Sequence, residues 1–224
     1  MLVLNKLCYG SLDVPWPVLR NALLGCFRGK PAAMIPYLNS ATGFQRELLA
    51  RVLSEVANAT VEGDLSLLVE DISDEIRASA ARALGTVKSG SVLPPLARLV
   101  TDPVWFVRLR AVVALAELST SAAVPLLIRA LTDPHQLVRQ RAAWGLLKFP
   151  QLTATIIRQV VDLRDRYGLQ AFVSELERTA MYETALTAIR LDERAEAPRL
   201  LGALAAARDA LQLHSQRASA MAGD

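Results

Sequence analysis

Along residues 74–149, apolar and polar positions alternate with the period of an α-helix, in blocks that return every 31 residues. Val107, Ala111, Ala114, Leu115 and Leu118 fall at i, i+4, i+7, i+8 and i+11, a single apolar stripe. Val138, Ala142 and Leu146 repeat the stripe one period on, and Ile76, Ala80 and Leu84 place it one period back. The spacing predicts pairs of helices, a short A helix and a longer B helix joined by a tight turn. The pairs are 32–38 with 43–58, 63–69 with 74–87, 91–100 with 103–118, and 122–131 with 134–149. Pro94 and Pro125 stand 31 residues apart near the starts of their A helices, where a missing N–H costs least. The small residues Ala111 and Ala142 let neighbouring helices approach closely.

Before the pairs, residues 1–12 predict a short helix stopped by Gly10. Asp13-Val14-Pro15 then reads as a cap with proline in the first turn of a second helix. Val18, Leu19, Ala22, Leu23 and Phe27 face inward there, and Gly29 ends it. This is a degenerate first repeat, as a terminal unit with one wet face should be. After Phe149 the grammar stops. Pro150 opens a helix with Ile156, Ile157, Val160, Val161 and Leu163 inward, ended at Tyr167-Gly168 with glycine past its C-terminus. Residues 169–190 predict one helix burying Phe172, Val173, Leu176, Ala180 and Leu186, and Asp192 opens a last helix to about Leu213. The expected organisation is one continuous stack over 1–214, with clear repeats at 32–149 and an irregular helical cap at 150–214. Residues 215–224 are expected to form a disordered polar tail.

The repeats carry a motif, Asp-Pro-x-x-x-Val-Arg-x-x-Ala-x-x-x-Leu. It is explicit at Asp102-Pro103, Val107-Arg108, Ala111 and Leu115, and again at Asp133-Pro134, Val138-Arg139, Ala142 and Leu146. It is weaker at Asp71, Ile76-Arg77, Ala80 and Leu84, and faint at Arg46 and Leu53. The pattern resembles HEAT repeats, and more closely the short bacterial HEAT-like units also found in phycobilisome lyase subunits. A 31-residue period is shorter than the usual HEAT length of about 40 or more. The resemblance implies an all-α fold, a right-handed α-solenoid of helix pairs with an irregular helical cap. It also implies a non-enzymatic scaffold or adaptor. The alternative it offers is a phycobilisome-lyase-like chromophore lyase or an enzyme accessory subunit.

Asp71 and Arg77, Asp102 and Arg108, and Asp133 and Arg139 share an offset of six residues, with Arg46 one period earlier. The carboxylate sits in the turn, where it accepts orphan N–H groups, and the guanidinium fork can bridge to a neighbouring unit's carboxylate. Repetition marks these as a structural ladder, since a binding site is usually singular. Specificity is instead expected where the repeats disagree. The column Arg51, Arg82, Val113, Trp144 turns from charged to apolar, and Glu47, Ala78, Leu109, Gln140 and Phe44, Glu75, Phe106, Leu137 behave similarly. Trp105, Phe106, Leu109, Val113, Leu137 and Trp144 are therefore the candidate partner-binding residues, rimmed by Arg82, Glu117 and Lys148. The expected partner is another protein, or a second copy of this chain.

Composition narrows the classes. Hydrophobic residues are 52% of the chain but aromatics only 5%, so the apolar mass is Ala, Leu and Val, which favours helix. A net charge of +3 is too small to imply nucleic acid, and the candidate face mixes Arg with Val, Trp and Glu. A nucleic-acid-binding solenoid of the alkyl-purine glycosylase type therefore ranks last. Cys8 and Cys26 form neither a disulfide framework nor a zinc spacing; they read as reduced, partly buried thiols of a cytoplasmic protein. The apolar start carries one lysine and is interrupted by Pro15, Trp16 and Pro17, unlike a signal peptide, and no window is apolar enough to span a membrane. His135 and His214 lack neighbours at metal spacing, and no phosphate loop or Ser-His-Asp set can be assembled. No catalytic residue, metal or cofactor is expected. Arg164, Asp165, Arg166 and Tyr167 form the densest charged cluster and read as a solvated helix end.

Overall fold

The computed structural model describes residues 15–149, 154–192 and 196–221, and every regular element among them is helical. The predicted helix over 1–12, the Asp13-Val14 cap, Cys8 and Pro150 lie outside the described residues. Contacts divide the chain into two compact units, one ending at Leu118 and one beginning at Ser119, where the sequence reads a single stack.

In the first unit, α1 (Trp16–Phe27) buries Leu19, Leu23 and Phe27 at i, i+4 and i+8, and Gly29 follows with φ +80°. Cys26 lies beside that stripe and is exposed, which corrects its reading as partly buried. Three helix pairs follow: α2 (Ile35–Ser40) with α3 (Gly43–Val56), α4 (Glu62–Leu68) with α5 (Asp74–Val87), and α6 (Leu93–Leu99) with α7 (Trp105–Leu118). A turn of 3₁₀ helix precedes each A helix, at Pro31–Met34, Ala59–Val61 and Gly90–Val92. Pro94 falls in the first turn of α6, where no N–H is needed. The B helices α3, α5 and α7 pack side by side. Leu49, Leu53, Ile76, Ala80, Leu84, Val107, Ala111 and Leu115 form their seam, each essentially without solvent contact. Burial of each large side chain there contributes about 1.5–3 kcal/mol. α5 and α7 approach closely at Gly85, where an added Cβ would lie 2.8 Å from Ala114 Cβ.

α7 begins at Trp105 rather than at Pro103. Asp102 Oδ1 accepts the Val104 N–H at 2.9 Å, and this side-chain turn keeps the proline outside the helix. One period on, Asp133 Oδ1 accepts the His135 N–H at 2.8 Å and the helix starts at Gln136. Lys88 and, 31 residues later, Ser119 take left-handed φ of 53° and 49°, so this stop is written into the backbone without glycine.

In the second unit, α8 (Val124–Ala130) and α9 (Gln136–Leu147) make the last regular pair. α10 (Ala154–Asp162), α11 (Arg166–Arg178), α12 (Tyr182–Leu191) and α13 (Ala197–Met221) follow, with α11 packed on α9 and α13. Three boundaries differ from expectation. α10 ends before Arg164, which takes φ +53°, and Gly168 lies in the first turn of α11 instead of ending a helix. The single helix expected over 169–190 is broken. Ala180 N–H donates to Glu177 O at 3.0 Å and Met181 N–H to Leu176 O at 2.8 Å, the paired bonds of a Schellman stop, with Ala180 at φ +56° and exposed rather than inward. α13 runs beyond Leu213 to Met221, so residues 215–221 are helical where a disordered tail is expected; Gln216, Arg217, Ala218, Ala220 and Met221 are all good helix formers.

Candidate protein-binding face

The ladder residues come together within the first unit. Arg46 Nη2 meets Asp71 Oδ2 at 2.6 Å. Arg77 forks onto Asp102, Nε to Oδ2 at 2.7 Å and Nη2 to Oδ1 at 3.1 Å, and its Nη1 donates to the Asp71 and Ile72 carbonyls at 2.9 and 3.2 Å. Arg108 repeats the local half, Nη1 donating to the Asp102 and Pro103 carbonyls at 2.8 and 3.1 Å. In the second unit Arg139 donates to the Asp133 and Pro134 carbonyls at 2.8 and 2.9 Å. Its guanidinium then lies over the Tyr167 ring at 5.4 Å, and its buried Nε has no hydrogen-bond partner. Arg77, Arg108 and Arg139 thus each staple the turn that precedes their own B helix.

Burial pushes the Asp71 carboxyl upward. The Arg46 hydrogen bond, the Ser73 N–H at 3.0 Å and the charges of Arg46 and Arg77 outweigh that and hold it below the usual carboxylate value. A depressed folded value contributes stability above the unfolded pKa, near 4, and loses it as pH falls through the folded one. Asp71→Asn should cost roughly 1.5 kcal/mol at pH 7. In urea titrations the gap from wild type should close below about pH 4; a gap that persists or widens in acid would contradict the assignment.

The face where the repeats disagree begins polar. On α3 and α5, Arg51 Nη2 pairs with Glu75 Oε2 at 2.8 Å, and Arg82 is exposed. On α7 the same columns are apolar. Trp105 is 38% exposed and packs edge-on to Phe106 at 6.0 Å between ring centres, while Phe106, Leu109 and Val113 are half-buried. Val107, Ala111, Ala114 and Leu115 of the same helix are buried. α7 therefore has two apolar faces, and the core consumes one. On α9, Leu137 is 45% exposed and Trp144 is half-buried, its ring covered by Lys148 Nζ at 3.8 Å and approached by the Arg141 guanidinium at 5.6 Å. The predicted rim residues Glu117 and Lys148 are half-buried. The cation over Trp144 was readable as an i, i+4 pair; the Arg139–Tyr167 contact was not, because Tyr167 lies outside the 31-residue grammar.

Candidate ligands are dispersed. His135 Nδ1 accepts the Leu137 N–H at 3.3 Å as the N-cap of α9, and His214 is exposed on α13. No group of three or more His, Cys, Asp or Glu able to hold a metal occurs among the described residues. No helix among them is long and apolar enough to cross a membrane.

The model of the HEAT repeats family matches residues 61–147. No curated protein matches the sequence. Among solved structures, a designed armadillo repeat protein is 19% identical, with a TM-score of 0.45 over 79% of this chain and 98% of its own. An engineered protein is 19% identical, with a TM-score of 0.48 over 92% of this chain and 98% of its own. The repeating motif and the helix pairs it forms coincide with the stretch that the HEAT repeats model matches, residues 61–147.

Proposed function

We propose that the chain is a non-enzymatic scaffold that docks a protein partner on exposed B-helix side chains. Trp105, Phe106, Leu109 and Val113 supply the α7 face, and Leu137 and Trp144 supply the α9 face. The observation that carries this reading is the second apolar face of α7. A helix at a protein surface needs one apolar stripe for its core, and the same columns on α3 and α5 hold the Arg51–Glu75 ion pair instead. An aromatic pair with half-buried aliphatic neighbours is the side-chain set that anchors protein interfaces. Cations over Trp144 cover its ring until a partner displaces them or stacks beyond them.

The test compares four baits: wild type, Leu109→Glu, Trp144→Ala, and Leu67→Glu, which alters an exposed leucine on the A helix α4. A partner should be retained by wild type and Leu67→Glu and lost by the other two. With that partner purified, Kd should rise tenfold or more for each face variant, the loss expected of an interface anchor. Melting temperatures should stay within a few degrees. Retention of every bound protein by all four baits would overturn the proposal. Sedimentation of the same variants reports the case in which the partner is a second copy.

A further inference from the structure

Between α10, the first turns of α11 and the later turns of α13 lies a cleft of about 660 Å³. Its walls are mostly apolar, with Val161, Leu169 and Leu213 among them, and Leu213 is 56% exposed. Arg164, Arg166 and Arg217 line it too, against one carboxylate, Asp165. That carboxylate is already engaged, accepting the Gly168 N–H at 2.6 Å.

The charge balance here is one-sided. On the surrounding helices Arg158 holds Asp192 and Glu196, Arg178 holds Glu175, Arg199 holds Asp162, and Arg208 holds Glu177. Arg164, Arg166 and Arg217 meet no carboxylate among the described residues. Two of them sit where the backbone does not favour a cation or a side chain, although the Arg166 guanidinium also lies over the Tyr167 ring at 5.3 Å. Arg164 sits at φ +53°, where glycine is free of strain and a side chain is not. Arg166 is the first residue of α11, where the positive end of the helix dipole disfavours a cation. Both arginines stand against the local preference of the backbone.

The cations come from two separate segments, α13 and the turn that leads into α11. A lone carboxylate satisfies one guanidinium fork; several carboxylates spaced along a chain, with apolar side chains between them, match the spread of charge and the walls. We propose that this cleft docks an acidic peptide segment of a protein partner, its carboxylates on Arg164, Arg166 and Arg217 and its apolar side chains against Val161, Leu169 and Leu213. The site shares no residue with the α7 and α9 faces and does not rest on their function.

Fluorescence anisotropy of a labelled peptide of alternating Glu and Leu, titrated with the full chain, tests it. The peptide should bind, more weakly as salt rises, and a Lys-Leu peptide of the same length should not. Arg164→Gly, Arg166→Gln and Arg217→Ala combined should weaken binding at least tenfold while the melting temperature holds or rises, because the first two substitutions relieve strain and helix-end repulsion. Leu109→Glu should leave this affinity unchanged. Equal binding by the triple variant, equal binding of the Lys-Leu peptide, or loss of binding in Leu109→Glu would each overturn the proposal. Arginine-dependent binding of decanoate without binding of the Glu-Leu peptide would overturn it in favour of a small amphipathic anion.

Discussion

Arg77→Ala is expected to destabilise the protein by about 3 kcal/mol, the lower end for breaking a buried ion pair from one side. Only 13% of the Arg77 side chain and 5% of the Asp102 side chain reach solvent. Removal of the guanidinium leaves the Asp102 carboxylate desolvated with its counter-charge gone, and strips a donor from the Asp71 and Ile72 carbonyls. Arg77→Lys should recover only part of the loss, since one ammonium cannot span a carboxylate and two carbonyls in the guanidinium's planar geometry. The surface pair Arg98–Glu70 makes the contrast. It is as short, 2.7 Å, but both side chains are more than half exposed, so Arg98→Ala should cost below about 1 kcal/mol. Urea denaturation of the three variants, with a double-mutant cycle through Asp102→Ala, separates the terms. A loss for Arg77→Ala no greater than that for Arg98→Ala would mean that these arginines do not bind the repeats together.

The ladder was legible because its geometry is local. A bond from an arginine to the carbonyls six and five residues back depends only on the turn and the first turn of helix, so equal spacing returns equal bonds at Arg77, Arg108 and Arg139. The reach from Arg77 to Asp102 then follows from the period, one repeat on and six residues back. The apolar columns on α7 were legible for the same reason: a fixed register makes each departure visible, as at Val113 against Arg82 and Arg51. Beyond Phe149 the register is gone, and the breaks at Arg164 and Ala180 carry no glycine or proline at their turning residues. Arg164 and Ala180 adopt left-handed backbone although neither is glycine, so residue propensity does not announce these stops. Of the arginines at the α10–α13 cleft, Arg164 and Arg166 were visible only as members of a dense charged cluster, since whether a cation has found a carboxylate is a fact of three dimensions.

Gly168→Ala shows how the same residue type can carry a different message. In a helix interior, alanine in place of glycine ordinarily adds up to about 1 kcal/mol of stability. Here the sign should reverse, with a loss of about 2 kcal/mol. A Cβ on Gly168 would lie 2.7 Å from the Leu131 carbonyl oxygen and 3.2 Å from its carbon, and backbone atoms at the end of a packed helix cannot turn aside as a side chain can. It would also stand 3.1 Å from Asp165 Oδ1, the atom that accepts the Gly168 N–H and caps α11. Relief of the collision therefore weakens the cap, itself worth about 1 kcal/mol. The glycine is present because two backbones meet, whereas its reading as a helix terminus assumes that the chain stops there. Gly202→Ala, inside α13 with nothing within 4 Å of the added Cβ, should stabilise by the ordinary amount. Thermal unfolding of the two variants side by side decides the matter: equal shifts, or any gain from Gly168→Ala, would mean that the α11 start does not press on Leu131.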